Sequence, residues 1–159
     1  MKVKAIIDED FINYKKPSMM IAMCYCDWKC LLEKNLPISI CQNSLLFKQR
    51  DIEVSIDKLI NRYLNNPITQ AVVVAGLEPM IQFDEVLEFI KEFRKKSNDD
   101  IVIYTGYYES EIQEQLKQLQ KINNIIVKFG RYIPDRNKRY DDVLGVWLVS
   151  DNQYAKKLS

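Results

Sequence analysis

The stretch Ala71-Val-Val-Val-Ala-Gly-Leu-Glu-Pro79 opens on a run that is apolar and β-branched without any polar alternation. A strand with one wet face would alternate, so this one predicts cover on both faces, as in a parallel sheet. The neighbouring sequence fits βαβ units. Downstream, Phe83, Val86, Leu87, Ile90 and Phe93 recur at helical spacing, and Ile101–Tyr104 is a further strand. Ile112, Leu116 and Leu119 mark another helix, and Ile125–Phe129 another strand, with Val143–Val149 as a fifth. Upstream, Ile56, Leu59, Ile60, Tyr63 and Leu64 predict a helix capped by Asp51 and stopped by Asn65-Asn66-Pro67. Ser18–Met23 is a buried strand, and the segment before Tyr14 adds a strand or hairpin. The expected fold is α/β, one domain over residues 1–159, with right-handed crossovers and a mostly parallel sheet. Four or five units are too few for a closed barrel of eight, so an open partial (β/α) barrel is expected.

In such sheets ligands bind beyond the carboxyl ends of the strands. Here those ends carry Cys24 onward, Gly76-Leu-Glu-Pro79, Thr105-Gly106 and Gly130-Arg131. Thus all the cysteines and three of the four glycines fall on one rim. Elsewhere the composition is ordinary, with 47% apolar and 28% charged residues. A net charge of +1 argues against nucleic acid or a membrane surface as partner. No run approaches the roughly 18 apolar residues of a membrane span, and the amino terminus lacks the apolar stretch of a signal peptide. A cytoplasmic location is expected, where thiols stay reduced and clustered cysteines point to metal or redox chemistry.

The thiols are Cys24, Cys26, Cys30 and Cys41, and the chain has no histidine. Their separations of one, three and ten residues match neither paired zinc spacing nor a redox C-x-x-C. Iron–sulfur clusters accept thiolates at varied spacings, so by spacing alone iron–sulfur and zinc both remain open.

Several segments together resemble the radical S-adenosylmethionine superfamily. Cys26-Asp-Trp-Lys-Cys30 is similar to the first half of its C-x3-C-x2-C motif, and Cys41-Gln-Asn43 to its end, with Leu31–Ile40 expanding the loop between. Gly76-Leu-Glu-Pro79 resembles its Gly-Gly-Glu-Pro turn, with Leu77 in place of one glycine. Tyr104-Thr-Gly-Tyr107 and Ser150-Asp-Asn-Gln153 resemble segments of the anaerobic ribonucleotide reductase activating proteins. The likeness implies a [4Fe-4S] cluster on Cys26, Cys30 and Cys41 and S-adenosylmethionine held near Ile40, Asn43, Gly76, Leu77, Glu78, Thr105 and Gly106. Asn152 and Gln153 are further contacts, and Lys128 or Arg131 would suit a carboxylate.

The resemblance further implies reductive cleavage to a 5′-deoxyadenosyl radical, which would install a glycyl radical on an anaerobic ribonucleotide reductase. A flavodoxin or ferredoxin-type protein would supply the electron. No catalytic side chain beyond the cluster ligands is implied. Cys24 is then a small buried residue outside the ligand set. The alternatives are a small-molecule radical enzyme resembling carboxy-deazaguanine synthases and a non-catalytic four-cysteine zinc module. The expanded loop is too apolar for a free solvated segment, and either caps the cluster or offers a patch to a partner.

Overall fold

The computed structural model describes all 159 residues. Its main sheet has seven strands, built around a parallel centre of β2 (Ser18–Met23), β4 (Ala71–Gly76), β5 (Asp100–Tyr104) and β6 (Ile125–Phe129). β1 (Lys2–Asp10) runs antiparallel beside β2, followed by the two-residue β3 (Ile52–Glu53). At the opposite edge, β9 (Tyr154–Lys157) runs antiparallel to β6. The α/β class and the parallel centre agree with the sequence reading.

The three long connections are α3 (Ile56–Leu64), α4 (Phe83–Arg94) and α5 (Gln113–Leu119). Their apolar stripes, including Leu59, Phe89, Phe93 and Leu119, meet Ile21, Val72, Val74, Ile101, Ile103 and Val127 in one core. All three helices therefore cover the same face. The other face presents smaller residues, Ala71, Val73, Ala75 and Val102, and is closed at one end by Tyr14, Leu144 and Leu148. Towards the carboxyl ends of the strands this second face is left open as a cavity of about 360 Å³.

Two expectations need correcting. Asp51 does not cap α3; Ser55 does, its hydroxyl accepting from the Lys58 N–H at 3.3 Å, while Asp51 pairs with Lys4. Val143–Val149 is not a fifth parallel strand. Its β8 portion (Val146–Leu148) pairs antiparallel with β7 (Arg139–Asp141) in a separate hairpin. Gly145, at φ +72°, and the Asp141 carboxylate, which accepts from Leu144 N–H, turn that hairpin. The short helices α1 (Lys29–Leu32) and α2 (Ser44–Phe47) lie within and just after the expanded cysteine loop.

Candidate metal centre

Cys26 begins the loop that leaves β2, and the loop turns sharply because Trp28 adopts the left-handed region at φ 58°. That conformation is uncommon for a bulky residue and marks a turn the surroundings must hold. The Trp28 carbonyl then accepts from the Leu31 and Leu32 N–H groups, starting α1 and fixing Cys30 one residue into it. Trp28 packs edge-on against Phe47 of α2, with ring centroids 5.0 Å apart, so the loop is folded back on itself. A 3-10 turn at Ile38–Ile40 returns the chain to Cys41.

Cys26, Cys30 and Cys41 line the open cavity together. The Trp28 N–H points at Cys26 Sγ (3.3 Å) and the Asn43 N–H at Cys41 Sγ (3.4 Å), contacts that favour thiolate and set cluster potentials. Burial pushes the Cys26 thiol up to about 12 and raises Cys30 as well, so metal loading must displace protons and is favoured by rising pH. Cys24 is separate. It is absent from the lining, and its thiol faces Asp51, with burial raising it to about 11. No group of three or more Cys, His, Asp or Glu side chains is spaced to hold a single ion.

Asn43, Gly76, Leu77, Glu78, Thr105 and Gly106 line the same cavity; Ile40 does not, and its side chain is 41% exposed. Asn43 donates its amide to the Gly76 carbonyl at 2.5 Å, tying the cysteine loop to β4. The Glu78 carboxylate is buried and accepts three donors: Met80 N–H (3.0 Å), the Thr105 hydroxyl (2.7 Å) and Gly106 N–H (2.8 Å). It thus stitches the ends of β4 and β5, although burial raises its proton affinity. Gln153 also lines the cavity, while Asn152 donates instead to the Arg131 carbonyl at 2.9 Å.

Lys128, expected from the sequence to suit a carboxylate, lies within β6. It proves to be buried at 6% exposure in the lining, donating to the Gly130 carbonyl at 3.2 Å, with burial pushing its ammonium down to about 8. Its position within Ile-Ile-Val-Lys-Phe, a charge inside an otherwise buried strand, was the available signal. Tyr104, Tyr132 and Trp147 complete the walls.

Gly76 illustrates how a turn glycine can mislead. Its φ is +92°, and an added Cβ would lie 2.9 Å from Ala22 Cα and Met23 N, so close packing on β2 already requires glycine. Gly76→Ala should therefore destabilise the fold by about 2–5 kcal/mol, from left-handed strain plus overpacking. At Gly106, where φ is not positive, a Cβ meets only Glu78 Oε2 at 3.4 Å. Gly106→Ala should melt within about 1 kcal/mol of the native protein. Thermal melts of the metal-free variants measure both, and equal losses would remove the distinction.

Three thiols line the open face of an α/β sheet, and comparison with known families gives the class, an iron–sulfur protein. The family described as "4Fe-4S single cluster domain" matches residues 19–155, and the chain belongs to it. No curated protein is similar enough to this chain to count as a match. No helix is long and apolar enough to cross a membrane.

Proposed function

We propose that this protein is a radical S-adenosylmethionine enzyme that installs a glycyl radical on an anaerobic ribonucleotide reductase, with a flavodoxin or ferredoxin-type protein as electron donor. One observation carries the reading: three thiols line the cavity and the fourth does not. Cys26, Cys30 and Cys41 would hold a [4Fe-4S] cluster, and the chemistry it would supply with bound S-adenosylmethionine is reductive cleavage of that molecule.

This chain's own residues bind, orient and exclude water. The cavity volume, about 360 Å³, falls within the range of roughly 300–1,000 Å³ usual for small-molecule sites. Lys128 is the only cationic side chain in the lining and has no carboxylate within ion-pair distance, which supports its binding an amino-acid carboxylate. The Gly76 carbonyl keeps a lone pair beyond the one used by Asn43 and can accept from an ammonium group. Tyr104, Tyr132 and Trp147 are aromatic side chains of the lining, the kind that stack on an adenine. Helices confined to one face, with the other open, are also consistent with a partial barrel.

The test is anaerobic reconstitution followed by dithionite and S-adenosylmethionine, with methionine and 5′-deoxyadenosine measured. Electron paramagnetic resonance then looks for a glycyl radical on the reductase. Absence of cleavage sinks the proposal. Cleavage that never produces a protein radical moves the assignment to a small-molecule substrate.

The expanded loop bears on the partner. Leu31 is buried, but Leu32 (66%), Ile38 (44%) and Ile40 (41%) of the loop are exposed, as are Leu45 (72%) and Phe47 (43%) of the following α2, which favours a docking patch over a cap. We expect Leu32→Ser with Leu45→Ser to leave cluster content and uncoupled cleavage unchanged while activation of the reductase falls at least tenfold. A loss of about 1–2 kcal/mol for each contact residue is enough. Faster bleaching of the isolated variant in air would instead restore the capping role.

A further inference from the structure

Arg131 follows β6 at the rim, and its side chain is only 5% exposed. The resemblance offers it a ligand carboxylate, but its donors are already taken. Nε and Nη2 grip Glu33 side-on at 3.1 and 2.9 Å, Nη2 also reaches Glu111 at 2.7 Å, and Nη1 donates to the Gly106 carbonyl at 2.6 Å. The Tyr107 and Tyr108 rings lie 5.4 and 5.1 Å from the guanidinium carbon. Glu33 ends α1, three residues after Cys30.

The same loop is held at two more points. The Tyr107 hydroxyl donates to Asp27 at 2.6 Å, and Lys29 pairs with Glu111 at 3.4 Å while lying over the Tyr107 ring. Asp27, Lys29 and Glu33 therefore bind the segment carrying Cys26 and Cys30 to the carboxyl ends of β5 and β6. The other anchors of the loop are the Trp28–Phe47 contact, buried Leu31 and the Asn43 bond to Gly76, so these ties are what join its Cys26–Cys30 part to β5 and β6.

We propose that Arg131 is a positioning residue that clamps the Cys26–Cys30 turn onto the sheet and thereby governs both retention of the cluster and the charge around it. The clamp needs arginine, because only a planar fork can hold one carboxylate side-on while serving a second carboxylate and a carbonyl. The inference rests on the reading that Cys26 and Cys30 hold the cluster.

The test compares Arg131→Gln, Arg131→Lys and Glu33→Gln by three measurements. These are amide hydrogen exchange across residues 27–36 without metal, iron release to a chelator after reconstitution, and the reduction potential. All three variants should speed exchange in this segment and iron release by roughly tenfold, the scale of lost outer-sphere support. The potentials should divide by charge. Arg131→Gln removes a cation and moves the potential negative, Glu33→Gln removes an anion and moves it positive, and Arg131→Lys leaves it near native. Should Arg131→Gln fail to fold, Glu33→Gln carries the test alone, since Glu33 is half exposed. Native exchange and iron release in the folded variants would overturn the clamp, as would potentials that all move one way. A loosened metal-free loop in a protein that never cleaves S-adenosylmethionine would support the clamp and reject the proposed function.

Discussion

Single Cys→Ala substitutions at positions 26, 30 and 41 are expected to abolish the cluster, while Cys24→Ala keeps it. Losing any of the three leaves two thiolates, and the lining has no histidine or spare cysteine to substitute. Iron and sulfide after reconstitution should fall to background, and the visible absorption of the cluster should vanish with them. Cys24 faces Asp51 behind β2, and its backbone N–H donates to Gln82 at 2.7 Å, a bond that alanine preserves. Removing one buried sulfur costs about 1 kcal/mol of packing or less, without loss of iron. Loss of iron in Cys24→Ala equal to the others would mean that the ligand register is shifted.

The fold was legible wherever burial on both faces forced unbroken apolar runs. Met19–Met23, Ala71–Ala75 and Ile101–Ile103 can be little else, and their order dictates parallel pairing. Tyr154–Lys157 was missed because an edge strand with one covered face carries lysines and few apolar residues. Val146–Leu148 looked like sheet core, yet one turn glycine and Asp141 bind it into a local hairpin, and neither signal has a period. In the site, the thiols and turns were visible as residue types that seldom cluster by chance. Arg131 was visible only as a cation suited to a ligand carboxylate; its actual partners Glu33 and Glu111 stand 98 and 20 residues away. Glu78 was legible as a motif letter, but its three donors, which fix two strand ends together, belong to the tertiary structure alone.

Glu78 and Lys128, the two charged side chains in the cavity lining, should respond to neutralisation with opposite effects on stability. In Glu78→Gln one oxygen becomes an NH2 facing groups that are themselves donors, so at least one buried N–H or hydroxyl loses its acceptor. That costs about 1–3 kcal/mol. It also loosens the Thr105–Gly106 end of β5, so under the proposed function binding of S-adenosylmethionine should fall with the melting temperature. Lys128→Met removes a buried cation that has no ion-pair partner and substitutes a flexible apolar chain of similar length, a change that is neutral or stabilising. Binding should nevertheless weaken by tenfold or more, since a charge-assisted hydrogen bond to a ligand carboxylate contributes about 1.5–3 kcal/mol. The pH dependence separates them further. With its ammonium pushed down to about 8, folded metal-free protein holds the Lys128 proton less tightly than the unfolded chain, whose lysines titrate near 10.4. Between these values the unfolded state binds more protons, so Lys128 makes stability rise with pH across that window. Glu78 has its folded value raised, so its contribution falls as pH climbs from the ordinary carboxylate range through that raised value. In denaturant melts from pH 7 to 10 the raised Cys24, Cys26 and Cys30 thiols pull stability down with pH in both proteins, so the lysine contribution should appear as a shallower fall in native protein than in Lys128→Met. A variant that melts lower and still binds S-adenosylmethionine normally would assign Lys128 to the fold and leave the ligand carboxylate without a cation in this cavity.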